Sequence, residues 1–192
     1  LGHNPNVKQY AYDPEKAKAL LAAAGLPDGF ETDFWYIPVI RGYFPDSKAI
    51  GEAIAADLAK VGIKVNLQTK DWGAYLDDRN NGKFPMWMLG WGSDNGDPDN
   101  YLGWHFYHPI GEPKVEDCYA NDKVAELILQ GRTEPDLAKR EAIYQEAEQL
   151  IHDDAARIPV AWTLNPAVFR AEVKGYVPVV FRSWYENLWI AK

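Results

Sequence analysis

The stretch "GWGSDNGDPDNYLGW", residues 90–104, sets three carboxylates (Asp94, Asp97 and Asp99) between two indoles, Trp91 and Trp104. Acids beside an aromatic wall in a turn suit three kinds of chemistry: a metal loop, a pair of catalytic carboxylates, or a pocket for a cation. A calcium loop of the EF-hand type needs alternating oxygen donors, a glycine at its turn and a closing Glu. Starting at Asp94 puts Gly96 and Pro98 on donor positions. Starting at Asn95 puts Asn100 where the glycine belongs and Phe106 where the Glu belongs, so neither register fits. His105 and His108 keep an HxxH spacing without the Glu of a zinc-protease helix, and are expected at the surface or in packing. No metal and no cofactor is expected.

Catalytic readings fare no better. Ser93 has Trp91 rather than glycine two positions before it, so the nucleophile elbow of the hydrolases is absent. Carboxylates this close in a turn are usually caps and turn formers rather than an acid–base pair. The glycines match neither common phosphate-cradling pattern. Asp97 before Pro98 reads as a helix N-cap, and Asp99 complements the positive helix start. With the cap role filled by Asp97, capping does not account for Asp94, and a turn former and a ligand contact both stay open. Trp91 divides evenly between core packing and lining a crevice.

The elements that position these residues alternate. "YDPEKAKALLAAAG" reads as a helix capped by Asp13, with Pro14 at its first position and Gly25 at its end. Residues 31–37 are a strand candidate, 47–61 a helix with Ile50, Ile54, Leu58 and Val61 on one face, and 63–69 an alternating strand. Asp71 caps a short helix to about Asn81, on which Trp72 and Tyr75 pack. "PMWMLGW" (85–91) reads as a third strand. Helices are expected from Asp97-Pro98, over 121–131 and over 135–153, with strand-like runs from "RIPVAWTL" onward. This order implies an α/β fold, a mixed sheet flanked by helices. Ligands of such sheets sit beyond the carboxyl ends of the strands. Two stretches fall there: "PVIRGYFPD" (38–46), which offers Arg41, and "GSDNGDPDN" (92–100), which offers acids.

Composition sets the outer limits. The 192 residues suffice for one domain or one large lobe with a real core, and 47% hydrophobic with 25% charged residues is ordinary for a globular chain. The formal net charge of -8 argues against nucleic acid or an anionic membrane as partner. No apolar run approaches the ~18 residues of a membrane helix. The opening "LGHNPN" has neither an initiator Met nor a signal peptide, so a processed product or a piece of a longer protein is expected. The single Cys118 excludes an internal disulfide framework. Eight Trp and eleven Tyr exceed what such a core needs and favour a surface that binds something flat or apolar.

Taken together, "YDPEKAKALLAAAGLPDGF", "GEAIAADLAKVGIKV", "WGAYLDDRNNGKF", "GWGSDNGDPDN" and "EVKGYV" resemble the bacterial dipeptide-binding proteins, the extracellular solute-binding components of peptide ABC transporters. The resemblance implies one lobe of a two-lobed periplasmic-binding-protein-like fold: residues 1–167 as an incomplete second, C-terminal lobe, and 168–192 as a tail returning to the first. It implies Arg41 for the ligand carboxylate, Asp94 for the ligand ammonium, and Trp91 and Tyr43 as aromatic neighbours. Gly42 departs from the proline expected after this arginine. The implied function is capture of dipeptides or short peptides for import, with no enzymatic activity, with permease subunits as partners, at the periplasmic or extracellular face of the cell membrane. Two alternatives stay open: another solute such as an oligosaccharide, stacked on the tryptophans, and a glycoside hydrolase fragment using the acidic loop.

Overall fold

Five aspartates open helices by the same means, each carboxylate accepting a backbone N–H that the first turn leaves unpaired. Asp13 accepts from Lys16, Asp46 from Ala49, Asp71 from Gly73, Asp97 from Asp99 and Asp136 from Lys139, at 2.8–3.0 Å. The computed structural model describes residues 3–162, 167–177 and 185–191. The helices are α1 (Pro14–Ala23), α2 (Ser47–Ala59), α3 (Trp72–Asn80), α4 (Pro98–Phe106), α5 (Asp122–Thr133) and α6 (Leu137–Asp153). The strands are β1 (Phe30–Trp35), β2 (Ile63–Gln68), β3 (Val173–Lys174) and β4 (Trp189–Ile190). The chain divides into two units, one made of Pro5–Gly90 with His108–Asp122, the other of Trp91–Tyr107 with the residues from Lys123 onward and a short N-terminal piece.

In the first unit β1 and β2 pair in parallel, from Phe30 opposite Ile63 to Trp35 opposite Gln68, with α2 as the crossover packed on β2. The core gathers Phe34, Ile37, Phe44, Tyr75, Phe84 and Met88, flanked by Ile50, Ile54 and Leu67. Tyr75 is fully buried, so its hydroxyl needs a partner and donates to Met88 O at 2.7 Å. Burial pushes that hydroxyl well above the usual tyrosine range.

The expected third strand is shorter than its apolar run. Only Trp87 bridges in parallel to Trp35, with Trp35 N–H donating to Met86 O and Met88 N–H to Trp35 O. Beyond that point Met88 O is taken by the Tyr75 hydroxyl instead of a neighbouring strand, and the ladder stops. The α/β class holds, built on small sheets.

The second unit is helical. Val124, Ala125, Leu127 and Ile128 of α5, Tyr144, Ala147 and Ile151 of α6, and Leu102 and Phe106 of α4 are buried. The strand-like runs near the C-terminus reduce, among the described residues, to the antiparallel pair Val173–Ile190 and Lys174–Trp189. Residues 163–166 and 178–184 of those runs lie outside the described residues. No helix among the described residues is long and apolar enough to cross a membrane.

Candidate functional site

The Arg41 loop belongs to the first unit and is tied at both ends. Ser47 Oγ donates to Ile37 O at 2.5 Å in a buried bond that closes its base, and Asp46 caps α2 at its exit. Arg41 and Phe44 exchange two backbone hydrogen bonds, of 3.2 and 2.9 Å, which fold Gly42 and Tyr43 into a tight turn. Phe44 anchors that turn in the core. Tyr43 lies edge-on to Phe44 and covers Gly90, where an added Cβ would stand 2.2 Å from the tyrosine ring. Arg41 is left exposed, its guanidinium 5.1 Å above the ring of Trp72, which stacks in turn on Tyr75. An open depression of about 430 Å³ lies beside the loop, walled by Tyr36, Pro38, Ile40, Asp46 and Thr69. Arg41 and Tyr43 do not line it, so it is not the geometry that a role for Arg41 rests on.

The Asp94 loop belongs to the second unit and is held by hydrogen bonds. Asn100 Oδ1 accepts from Trp91 Nε1 at 3.2 Å and from Asp94 N–H at 2.9 Å. Ser93 Oγ accepts from Gly96 N–H, and Asn95 Oδ1 from Asp97 N–H, both at 3.0 Å. Ser93 therefore serves as a turn former. The Trp91 ring stacks on Trp104, 5.5 Å between centroids and 17° between planes, and meets His105 edge-on.

The three acids of this stretch separate by partner. Asp97 caps α4, as the sequence suggests, and also receives a two-pronged pair from Arg140, both contacts at 2.7 Å. The Arg140 hydrogen bonds hold the Asp97 carboxyl below its ordinary value. Asp99 pairs with Arg132 at 2.8 Å. Asp94 is exposed, and its carboxylate makes no hydrogen bond or ion pair among the described residues. Arg140 also donates from Nε to Gly131 O at 2.7 Å, so one side chain of α6 ties the start of α4 to the end of α5.

Both histidines are packed. His108 Nε2 accepts from Asn121 N–H at 2.9 Å, which places the ring proton on Nδ1, 2.9 Å from Pro109 O. His105 is buried, with Arg157 reaching its Nδ1 at 2.8 Å. Tyr101 lies edge-on to His105, and burial raises its hydroxyl pKa. No three His, Cys, Asp or Glu side chains among the described residues could together hold a metal ion.

The structure thus brings together Trp91 with Asp94 through Asn100, and Arg41 with Tyr43 in one tight turn. Sequence reasoning missed Asn100 and Arg140. The first had a faint signal, an asparagine in the third helical position, where a side chain can reach back toward the cap. Arg140 had none, since its partner lies 43 residues away.

Residues 1–112 match the family described as bacterial extracellular solute-binding proteins, family 5 Middle. The chain is 41% identical over 179 residues to the dipeptide-binding protein of Escherichia coli K12, covering 92% of this chain and 33% of that one. It is 38% identical over 183 residues to heme-binding protein A of Haemophilus influenzae, covering 93% and 33%. Among solved structures, the periplasmic binding protein DppA of Helicobacter pylori, in complex with the peptide STSA, superposes with a TM-score of 0.79 at 31% identity. The superposition covers 100% of this chain and 37% of that one. The chain spans about a third of the length of these curated relatives. With more than half of its residues inside the family match, it belongs to the bacterial extracellular solute-binding proteins of family 5.

Proposed function

We propose that this chain supplies most of the second lobe, residues 1–167, and a returning tail, 168–192, of the substrate-binding component of an ABC transporter. That component captures dipeptides or short peptides by their charged termini, at the periplasmic or extracellular face of the membrane, and delivers them to permease subunits. It breaks no bond in its ligand. The similarity to a dipeptide-binding protein and to a peptide-bound DppA supports the solute class.

The observation that carries the reading is the contrast among the acids. Asp97 and Asp99 are paired with arginines, while Asp94 has its backbone N–H held by Asn100 and its carboxylate left unpaired among the described residues. A dipeptide is a zwitterion, so its capture takes an anion for the ammonium and a cation for the carboxylate. Asp94 supplies the first. Arg41, exposed and backed by Trp72, supplies the second, with a planar fork that matches a carboxylate. Trp91 accompanies Asp94, and Tyr43 accompanies Arg41, each as an aromatic neighbour on its own loop that can tolerate varied side chains.

Calorimetry on the full-length protein tests this. Arg41→Ala is expected to weaken free dipeptides by roughly 3–5 kcal/mol, because the buried ligand carboxylate is left unpaired. It should cost C-terminally amidated peptides far less. Asp94→Asn should weaken free dipeptides and leave N-acetylated ones nearly unchanged. Equal losses for blocked and free ligands would remove these residues from the termini.

A second reading is heme. It is favoured by the 38% identity to a heme-binding protein and by Trp104, 57% exposed and stacked on Trp91. Growth of a Soret band on titrating heme, with no heat from dipeptide, would select it.

A further inference from the structure

We infer that Asn100 is a positioning residue for ligand capture, one amide oxygen that fixes both the Trp91 indole and the backbone of Asp94. The inference rests on the proposed role of Asp94 at the ligand ammonium. Asn100 lies in the first turn of α4, where its own N–H donates to Asp97 O at 3.1 Å. Its side chain turns back over the loop instead of out to solvent. Its Oδ1 has two lone pairs, and two donors use them: Trp91 Nε1, nine residues earlier, and Asp94 N–H, six residues earlier.

Each donor has a consequence. The indole has a single polar atom, and a hydrogen bond there sets the rotation of the whole ring. The Asp94 N–H sits on the same residue as the free carboxylate, so fixing the amide fixes the Cα from which that carboxylate projects. The wall and the Cα that carries the charge are therefore tied to each other because they share one acceptor. The rest of the loop does not depend on Asn100, since Ser93 and Asn95 hold Gly96 and Asp97 independently. Removing the acceptor should loosen the site and leave the loop folded.

The test uses the full-length protein with Asn100→Leu, which keeps the bulk and removes the acceptor, and Asn100→Asp, which keeps the acceptor. A free dipeptide and its N-acetylated form are the ligands, followed by calorimetry. Asn100→Leu is expected to weaken the free dipeptide about tenfold, the scale of one or two net hydrogen bonds. The acetylated form should lose much less, and Asn100→Asp should restore the free ligand. An unchanged Asn100→Leu, an equal loss for both ligands, or an Asn100→Asp as weak as Asn100→Leu overturns the inference.

A ligand-free readout separates this idea from the ligand reading. Hydrogen exchange at the Asp94 amide should be about tenfold faster in Asn100→Leu, as expected for one lost net hydrogen bond, and slow again in Asn100→Asp. If the parent binds neither dipeptide, the proposed ligand fails. Asn100 is then decided by exchange alone, and an unchanged rate at Asp94 sinks it.

Discussion

In the loop after β1, the backbone bonds between Arg41 and Phe44 and the Ser47–Ile37 bond shape the turn. Its side chains are held by packing: Phe44 is buried, Tyr43 lies on Gly90, and Arg41 rests over Trp72. In the loop before α4, hydrogen bonds do the same task, through Asn100, Ser93, Asn95 and the Arg140 fork on Asp97. The difference follows the charge each loop presents. A guanidinium is weakly hydrated and flat, and can lie on an aromatic face without losing its donors. A carboxylate has no such affinity for a ring face, so its backbone must be fixed by polar neighbours. The two loops should therefore fail differently when broken.

The largest effect is expected where the polar loop is pinned to its helices. The Arg140 side chain is 14% exposed, and Arg140→Ala strands the Asp97 carboxylate and frees Gly131 O. The expected cost is about 3 kcal/mol in urea unfolding, the low end for a broken buried pair, because Asp97 keeps 32% exposure. A pH series sharpens it. The Asp97 pKa is depressed in the folded chain, chiefly by Arg140, so the pair's contribution is present above the unfolded value of ~3.9 and fades as pH falls through the folded one. The gap between parent and variant should narrow below about pH 4. A gap that stays constant would assign the loss to Arg140 packing over Tyr144 instead.

That pair also marks the limit of sequence reading here. Caps are local, so Asp13, Asp71 and Asp97 announce their helices in the order of residues alone. The strand at 85–91 misled because an apolar run says that a segment is buried, not that its backbone meets another strand. At Met88 a tyrosine hydroxyl took the carbonyl. Arg41 and Asp94 stand out as opposite charges after strand-like runs, whereas Tyr43 enters only through the resemblance and Trp91 divides evenly between packing and a crevice until the resemblance is added. Arg140 and Asn100 do not stand out, because their roles arise from folding distant or inward-turned groups onto the loop. A helical arginine looks the same in sequence whether it faces water or a carboxylate.

The packed loop should break by crowding. At Gly90 an added Cβ falls 2.2 Å from the Tyr43 ring, closer than any side chain tolerates, and the ring must move. Gly90→Ala is expected to cost about 1–3 kcal/mol of stability, as overpacking does. Combining it with Tyr43→Ala should cancel part of that cost, since the clash and its partner go together. Chemical denaturation of the two single variants and the pair measures the coupling. Additive losses would show that Tyr43 is free to swing away, and that packing does not hold this loop.

The smallest effect is expected at Gly42, beside Arg41 in the tight turn. It has nothing within 4 Å of an added Cβ, and its backbone lies outside the left-handed region. Alanine therefore fits without strain, and its main action is on the unfolded chain, which has fewer conformations to lose. Gly42→Ala is expected to stabilise by about 0.4–1 kcal/mol. The same restriction narrows the range of turns that Arg41 can ride on, so free dipeptides should bind slightly tighter while amidated ones do not change. Thermal unfolding and calorimetry on one variant read both effects. A destabilised Gly42→Ala would mean that the turn needs a conformation only glycine reaches. A stabilised variant with weaker dipeptide binding would mean that Arg41 must move to meet its ligand. In that case the packed loop gives Arg41 a resting place, and the fixed geometry belongs to the acidic loop alone.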